Sequence, residues 1–331
     1  MLTKPKLDQQ KIAQCLLDVY EITVDQALFL PIGADMHTAV YRVIAIDRTE
    51  YFLKVRRGKF CSSSVAVPSY LNHLRLDNIL PPITTKTGEY CTTCHGFTLA
   101  LYQYIDGLQA VETTLSKKQW VEFGQLIKKL HMTEPPKQIK TALPVETFSS
   151  KWASKVATFL EQVAKKEYAD PISMQAAQFL RTKSARLFYL IQHVKKLRST
   201  LEKSSFDYVM CHGDIHGWNL LIDGDHQLYL IDWDTLILAP KERDLMFIGA
   251  GIWDTGLSLT QEKAFFYQGY GEVETQQELL CYYRLERILE DIGVYCEQIF
   301  LSDTSKEDRL QSFRYMQTNF LPEGTIDRAF M

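Results

Sequence analysis

The spacing of hydrophobic positions along the chain changes near residue 104. Before that point, short runs of alternating apolar and polar residues predict strands at 27–32, 39–46, 51–55, 89–92 and 97–104. Helical spacing predicts one helix at 7–20 and another near 65–76. The first three strands follow one another with only turns between them, so we expect an antiparallel meander. This part of the chain is therefore predicted to be a small antiparallel sheet with helical packing on it.

After residue 107 the apolar positions recur at helical spacing. They predict helices near 116–132, 148–168, 172–201, 241–250, 259–270 and 275–300. One segment, 208–233, departs from this pattern, because short apolar runs there bracket a loop rich in His, Asp, Gly and Asn. We predict an α+β fold with two lobes, an N-terminal sheet lobe at 1–104 and a larger, mainly helical lobe at 105–331. Ligands commonly bind in clefts between such lobes.

Composition narrows the class of protein. The chain has 331 residues, 46% of them hydrophobic, which excludes a mainly disordered state. Its net charge of −3 gives no basic excess for nucleic acid or an anionic membrane. No apolar run approaches the roughly 18 residues of a spanning helix, and the N-terminus is charged. We therefore expect a cytoplasmic protein whose partners are small molecules.

Cysteine spacing offers a second pattern to interpret. The seven cysteines are scattered, which is typical of reduced thiols. Cys91 and Cys94, followed by His95, match a c-type haem attachment pattern, and two thiols at this spacing can also hold zinc. Haem attachment is typical of exported proteins, and no second Cys/His pair at zinc-finger spacing follows. We therefore expect an ordinary β-turn here.

The densest cluster of polar residues is His212-Gly-Asp214-Ile-His216-Gly-Trp-Asn219, followed by Ile231-Asp232-Trp-Asp234. Two polar turns at the ends of adjacent strands would bring Asp214, Asn219 and Asp232 together. Their hard oxygen atoms suit Mg²⁺, and phosphoryl transfer uses one Asp at the acceptor hydroxyl and further Asp and Asn residues on the metal. Either turn alone could simply carry turn-forming residues. The complete set favours a phosphoryl-transfer site.

Two upstream residues could contact phosphates. In the strand at 51–55, alternation places Lys54 on the face opposite Leu53, so its ammonium could reach the cleft and neutralise phosphates. A solvated lysine on a wet strand face is the alternative for this residue taken alone. Gly33 lies in the turn between the first two strands, where backbone amides could cover a triphosphate. An ordinary hairpin turn explains Gly33 equally well.

The order of these parts resembles the aminoglycoside phosphotransferase family, which is distantly related to the protein kinases. The resemblance runs from the Gly33 turn and Lys54 through a hinge near Tyr104 to the two polar turns and Glu242-Arg-Asp-Leu245. It implies a kinase-like two-lobed fold, ATP and Mg²⁺ as cofactors, and transfer of phosphate to a hydroxyl of a small aminocyclitol antibiotic, with spectinomycin favoured. Alternatives are a metabolite kinase for choline, homoserine or a sugar, and an inactive nucleotide-binding scaffold.

The resemblance also implies a role for each matching position. The implied roles are catalysis by Asp214, Mg²⁺ binding by Asn219 and Asp232, nucleotide binding by Lys54, Gly33 and Tyr104, and bracing of the loop by His212. Related kinases pair this lysine with a glutamate on the following helix, yet residues 61–76 include no acidic side chain. Glu50 and Asp77 flank that gap. The acidic partner of Lys54 is therefore left open.

The acceptor is expected to be cationic. Residues 261–300 contain 8 acidic and 3 basic side chains, and the resemblance implies that the last helices wall the acceptor pocket. The candidate acceptor-binding residues are Asp234, Glu272, Glu274 and Asp291. A solvated helix face is the alternative for this acidic excess. Arg243 is expected to brace a loop near Asp232 or Asp214, and Asp244 to cap its own helix.

Overall fold

The computed structural model describes residues 8–33, 37–58, 62–302 and 304–330. The chain divides into two compact units. The first unit comprises residues 1–126, 135–143 and 217–236, and the second comprises residues 127–134, 144–216 and 237–331. The first unit therefore contains both the N-terminal sheet and the segment that follows Asp214 in the polar cluster. The lobe boundary expected at residue 104 stays a prediction.

The first unit is built on a five-stranded antiparallel sheet. In chain order its strands are β1 (Val24–Leu30), β2 (Thr38–Ala45), β3 (Glu50–Arg57), β4 (Thr92–Cys94) and β5 (Phe97–Gln103), and they are arranged β1-β2-β3-β5-β4. The meander predicted for the first three strands is confirmed. The helices α1 (Gln9–Tyr20) and α2 (Ser63–His73) belong to the same unit.

One face of this sheet forms the core of the first unit. Leu53 and Val55 of β3 are buried together with Ile12 and Leu16 of α1. Lys54 lies between them on β3 and its side chain points to the opposite face, as the alternation predicts. Because the apolar side chains of β3 are buried on one face of the sheet, the Lys54 side chain must lie on the other face.

A tight turn joins β4 to β5. His95 and Gly96 both have positive φ, 50° and 80°, which is the backbone conformation of a two-residue type I′ hairpin. Cys94 ends β4, and its thiol lies beside the thiol of Cys15 on α1. The expected β-turn at the cysteine motif is confirmed.

The first unit contains a second, three-stranded antiparallel sheet, with the order β6-β8-β9. Its strands are β6 (Gly107–Gln109), β8 (Leu220–Asp223) and β9 (Leu228–Leu230). Leu220 pairs with Leu230, so the residue before β8 and the residues after β9 lie at the same end of the hairpin. The helix α4 (Lys137–Ala142) also belongs to this unit.

The helix α3 (Lys117–Met132) begins in the first unit and ends in the second, which is mainly helical. The further helices are α5 (Lys151–Lys165), α6 (Pro171–Leu201), α7 (Glu242–Leu245), α8 (Leu259–Tyr270), α9 (Gln277–Phe300), α10 (Lys306–Thr318) and α11 (Thr325–Arg328). Two short strands, β7 (Val209–Cys211) and β10 (Ile237–Ala239), pair antiparallel. The α+β fold class is confirmed.

The helical prediction differs from the structure in several places, and α4 is not among the predicted helices. The helix predicted at 241–250 is only four residues long and ends at Leu245, and Gly249 and Gly251 beyond it have positive φ. The helices after residue 302 were not predicted. Among the described residues, we find no helix with the length and apolar character needed to cross a membrane.

Candidate active site

Lys54 binds two carboxylates of the second polar turn, and all three residues belong to the first unit. Its ammonium donates to Asp232 Oδ1 at 2.9 Å and to Asp234 Oδ2 at 2.7 Å. Arg56 Nη1 donates to the same Asp234 oxygen at 2.8 Å. The side chain of Lys54 is only 17% exposed, so it is not a solvated lysine on a wet strand face.

These contacts identify the acidic partner that the sequence left open. Lys54 pairs with the carboxylates of Asp234 and Asp232. Glu50, one of the two flanking candidates, instead binds Arg42 through two hydrogen bonds of 2.8 and 2.7 Å. Contact of Asp234 with the acceptor stays a prediction. In the structure the Asp234 carboxylate forms an ion pair with Lys54.

The charge of Lys54 is stabilised by this arrangement. Burial alone would lower the pKa of Lys54, but attraction to Asp232 and Asp234 outweighs it and raises the pKa above its usual value. On the same face, burial raises the pKa of the Tyr102 phenol. At neutral pH Lys54 is therefore a permanent cation and Tyr102 a neutral phenol on this face.

Asn219 and Asp232 lie at the same end of the β8–β9 hairpin. The Ile231 N–H donates to the Asn219 carbonyl at 3.0 Å, which ties the two turns together. Asn219 is 7% exposed, and Asp232 adopts a left-handed backbone with φ 64° and ψ 72°. Asp tolerates this conformation better than most residues, and such strained positions cluster at functional sites. An amide oxygen and a carboxylate in adjacent turns fit the hard-oxygen donor set that Mg²⁺ prefers.

The other two proposed nucleotide-binding residues lie in the same unit. Gly33 follows β1 with φ 87°, in the left-handed region that favours glycine, while residues 34–36 lie outside the described residues. Tyr104 directly follows β5, and the guanidinium of Arg42 lies 4.7 Å from its ring centroid. Contact of Gly33 and Tyr104 with a nucleotide stays a prediction.

Asp214 belongs to the second unit, where it binds two cationic or ionisable side chains. Arg287 Nη1 donates to Asp214 Oδ1, and His216 Nε2 lies 3.1 Å from Asp214 Oδ2. Burial alone would raise the pKa of Asp214, but the charge of Arg287 and the hydrogen bond from His216 outweigh it and hold the pKa well below its usual value. Asp214 is therefore a carboxylate at every physiological pH.

Hydrogen bonds to buried side chains fix the loop that carries Asp214. The Asp214 N–H donates to His212 Nδ1 at 3.3 Å, and His212 is fully buried. The N–H groups of His212 and Gly213 donate to the carboxylate of Asp244 at 3.0 and 2.6 Å. The bracing role expected of His212 stays a prediction, and its ring accepts from the Asp214 N–H.

The expectation that Asp244 caps its own helix is wrong. Besides the two loop amides, its carboxylate binds His131 Nε2 at 3.0 Å, and His131 Nδ1 lies 2.9 Å from the Tyr270 hydroxyl. Cys211 lies close enough for these groups to resemble a metal site. However, both nitrogens of His131 already have protein partners, so the cluster is explained as a hydrogen-bond network.

Arg243, the neighbour of Asp244, was expected to brace a loop near Asp232 or Asp214. Its guanidinium carbon lies 5.6 Å from the centroid of the Tyr283 ring. Arg243 and Tyr283 both belong to the second unit. A bracing role for Arg243 stays a prediction.

Of the acidic candidates for acceptor binding, the structure connects Asp291 to Asp214. Arg287 bridges the two, since its Nε donates to Asp291 Oδ1 at 3.0 Å. Glu272 and Glu274 are exposed in the segment between α8 and α9, and their contact with the acceptor stays a prediction.

Sequence reasoning missed Arg287 and Glu286. Burial and the neighbouring Glu290 raise the pKa of Glu286 to about 8. The available signal was the i, i+4 spacing of Arg287 and Asp291, which lets the two side chains meet on one face of a helix.

The sequence also matches known proteins. Residues 29–276 match the model of the phosphotransferase enzyme family, which is more than half of the chain. The chain belongs to this family. It is therefore a phosphotransferase with an alcohol group as acceptor, the enzyme class that the sequence predicts.

Solved structures of the family agree with this assignment. The chain is similar to spectinomycin phosphotransferase APH(9)-Ia in complex with ADP and spectinomycin, with 31% identity, 98% coverage of each chain and a TM-score of 0.90. The AMP-bound complex of the same enzyme gives a TM-score of 0.85. Amicoumacin kinase hAmiN, in complex with AMP-PNP, Ca²⁺ and Ami, shares the fold at 15% identity and a TM-score of 0.62, with coverage of 96% of this chain and 95% of that chain.

Proposed function

We propose that this phosphotransferase transfers the γ-phosphate of ATP to a hydroxyl group of a small aminocyclitol antibiotic, with spectinomycin as the favoured acceptor, and so confers resistance. The observation that carries the proposal is the similarity, over 98% of both chains, to an enzyme whose structure contains ADP and spectinomycin. The charges around Lys54 and Asp214 support the two halves of the reaction separately.

The nucleotide half is supported by the first unit. The Lys54 ammonium stays charged and is a point charge suited to the α- and β-phosphates of ATP. Asn219 and Asp232 would hold Mg²⁺, which neutralises charge on the β- and γ-phosphates during transfer. Asp234 orients the Lys54 side chain, because the Asp234 carboxylate pairs with the Lys54 ammonium and is itself held by Arg56.

The acceptor half is supported by Asp214. Phosphoryl transfer passes through a loose transition state that needs positioning and charge stabilisation more than a strong base. A carboxylate whose pKa is held low is a weak base but a permanent hydrogen-bond acceptor. We infer that Asp214 orients the acceptor hydroxyl and takes its proton late, after most of the bond to phosphorus has formed.

A cationic acceptor is supported by the acidic residues of α9. Glu286 interacts electrostatically with Glu290, and Glu290 and Asp291 both interact with Arg287. Within the described part of the chain, the buried Oε2 atom of Glu286 has no hydrogen-bond partner. Even with Glu286 largely protonated at neutral pH, the acidic side chains of Asp214, Glu290 and Asp291 outnumber the guanidinium of Arg287. This negative balance favours binding of protonated amines, which spectinomycin carries.

The first experiment compares acceptors. ADP release with Mg²⁺ and ATP is measured for spectinomycin, aminoglycosides, choline, homoserine and a simple sugar. Spectinomycin is expected to stimulate ADP release most strongly. Stimulation by choline, homoserine or the sugar alone would favour the metabolite kinase, and no stimulation above hydrolysis by water would overturn the proposal.

The second experiment separates an enzyme from an inactive scaffold. Asp214→Asn is expected to lower kcat by about 10²–10⁴-fold, which is the usual range for a residue that handles the transferred proton. Its affinity for ATP, measured by calorimetry, is expected to be unchanged. Arg314→Met, at an exposed position of α10, serves as the control and is expected to keep the activity of the wild type. A scaffold would show no effect of Asp214→Asn on any function.

A further inference from the structure

Arg287 holds Asp214 and Asp291 at the same time. It lies on α9, and its guanidinium donates through Nη1 to Asp214 Oδ1 and through Nε to Asp291 Oδ1 at 3.0 Å. Asp291 is four residues further along the same helix, so its position relative to Arg287 is set by helix geometry. The link from α9 to the Asp214 loop therefore starts from a rigid element.

The second oxygen of Asp214 is held from a different element. His216 Nε2 lies 3.1 Å from Asp214 Oδ2, and the His216 ring packs edge-on against Phe247 with centroids 6.0 Å apart. The guanidinium carbon of Arg287 lies 5.8 Å from the same Phe247 ring. Donors on both oxygens hold the carboxylate in one orientation.

The planar guanidinium is suited to this bridge. Its Nε and Nη donors have fixed directions, so binding of Nε by Asp291 determines where Nη1 points. A lysine at this position could supply the charge but could not hold both carboxylates in a fixed relative orientation. The contact therefore depends on the shape of Arg287 as well as on its charge.

We propose that Arg287, oriented by Asp291, is a positioning residue that fixes the carboxylate of Asp214 for the acceptor hydroxyl. This inference rests on the proposed function, in which Asp214 receives that hydroxyl. It assigns to α9 a function in the reaction itself, in addition to the acidic surface that it offers to the acceptor.

The arrangement also determines the charge of Asp214. This carboxylate faces Arg287 and His216, Asp291 acts on it electrostatically, and Glu290 acts on Arg287. Burial opposes ionisation of Asp214, and Arg287 is the largest opposing influence. Removal of the guanidinium is therefore expected to raise the pKa of Asp214, so that activity is lost as the pH falls through the new pKa.

The test compares three variants with the wild type and with Arg314→Met. Arg287→Met is expected to lower kcat with spectinomycin by about 10–100-fold, with KM for ATP changed less than about 3-fold. It is also expected to introduce an acid limb in the kcat/KM profile above pH 5. Arg287→Lys is expected to restore the flat profile but only part of kcat. Asp291→Asn is expected to lower kcat by about 3–10-fold without an acid limb.

A second measurement needs no acceptor. The ¹³C signal of the Asp214 carboxyl is assigned in the full-length protein by its loss in Asp214→Asn, and its chemical shift is followed against pH. The wild-type signal is expected to show no titration between pH 4.5 and 8, whereas Arg287→Met is expected to titrate in that window. This readout separates positioning from a purely structural effect, which would change stability but not the titration of one carboxyl group.

The outcomes are distinguishable. If Arg287→Met has the kcat and pH profile of the wild type, or if Asp214 titrates normally in the wild type, the inference about Arg287 is overturned. If no acceptor supports phosphoryl transfer by the wild type, the proposed function fails. In that case the carboxyl titration still shows whether Arg287 controls Asp214.

Discussion

Asp234→Asn is the sharpest test of how Lys54 is held. The wild-type carboxylate accepts from Lys54 at 2.7 Å and from Arg56 at 2.8 Å through the same oxygen. The amide has nearly the same shape but no charge, and it brings two N–H donors close to two cations. Lys54 keeps its contact with Asp232, whereas Arg56 loses the carboxylate it shares with Lys54.

The magnitude follows from how far these side chains are exposed. Loss of one partner from a fully buried ion pair costs about 3–5 kcal/mol, and a fully exposed pair contributes about 0–1 kcal/mol. The side chains of Lys54, Arg56 and Asp234 are 17%, 25% and 22% exposed, which lies between these limits. We therefore expect the free energy of unfolding to fall by about 1–2 kcal/mol. We also expect kcat/KM for ATP to fall by about 10-fold, since the Lys54 ammonium loses one of the two carboxylates that orient it.

Urea unfolding and steady-state kinetics measure the two effects on the same preparations. The control is Asp327→Asn, which removes an ion pair with Arg186 in which both side chains are nearly half exposed, while the Asn oxygen can still accept from the Glu323 N–H. This control is expected to cost less than about 1 kcal/mol and to leave kcat/KM for ATP unchanged. If Asp234→Asn behaves like the control in both assays, Asp234 does not serve as the acidic partner of Lys54.

Two further predictions concern buried carboxylates of the second unit. Asp244→Asn is expected to lower the free energy of unfolding by about 3–5 kcal/mol at pH 7 in urea unfolding, because it removes a fully buried charge that binds His131 and two loop amides. The pKa of Asp244 is lowered in the fold, because His131 outweighs burial, so this stability is present above the ordinary carboxyl pKa of about 3.9 and is lost as the pH falls through the folded-state pKa. A difference from the wild type that does not shrink in acid would contradict this explanation. For Glu286→Gln the expected pH dependence of stability is the opposite. Burial raises the pKa of Glu286 to about 8, so the protonated side chain stabilises the wild type at low pH and this stability is lost as the pH rises from about 4.3 to about 8. Thermal denaturation is expected to show a growing advantage of the Gln variant across that range, and a constant difference would refute the raised pKa.

Much of the fold follows from periodicity, and the exceptions have physical causes. The strand around Lys54 was predictable because Leu53 and Val55 are buried on one face while the lysine lies on the other. Strands β6 and β10 have three residues each, too few to show an alternation. The helix α10 is rich in charged and polar residues and buries only three side chains, so its sequence lacks a clear apolar face.

The site was predictable only in part, for a related reason. Asp232 and Asn219 lie in short motifs with recognisable spacing. The partners that orient the proposed reactive groups are far away in sequence, since Asp234 is 180 residues from Lys54 and Arg287 is 73 residues from Asp214. No local pattern encodes such pairs, and folding alone brings them together.

The proposed reactive charges are paired before any ligand binds. In the first unit the ammonium of Lys54 already binds two carboxylates, and in the second the carboxylate of Asp214 already binds a guanidinium. A ligand must therefore exchange or share existing ion pairs, which makes the net gain in affinity smaller than the bare attraction between the charges. The ion pairs keep the Lys54 ammonium and the Asp214 carboxylate in fixed orientations. Orientation that is complete before a ligand binds lowers the barrier to phosphoryl transfer. Substitution of Asp234 or Arg287 should therefore affect kcat more than the binding of ATP or of the acceptor.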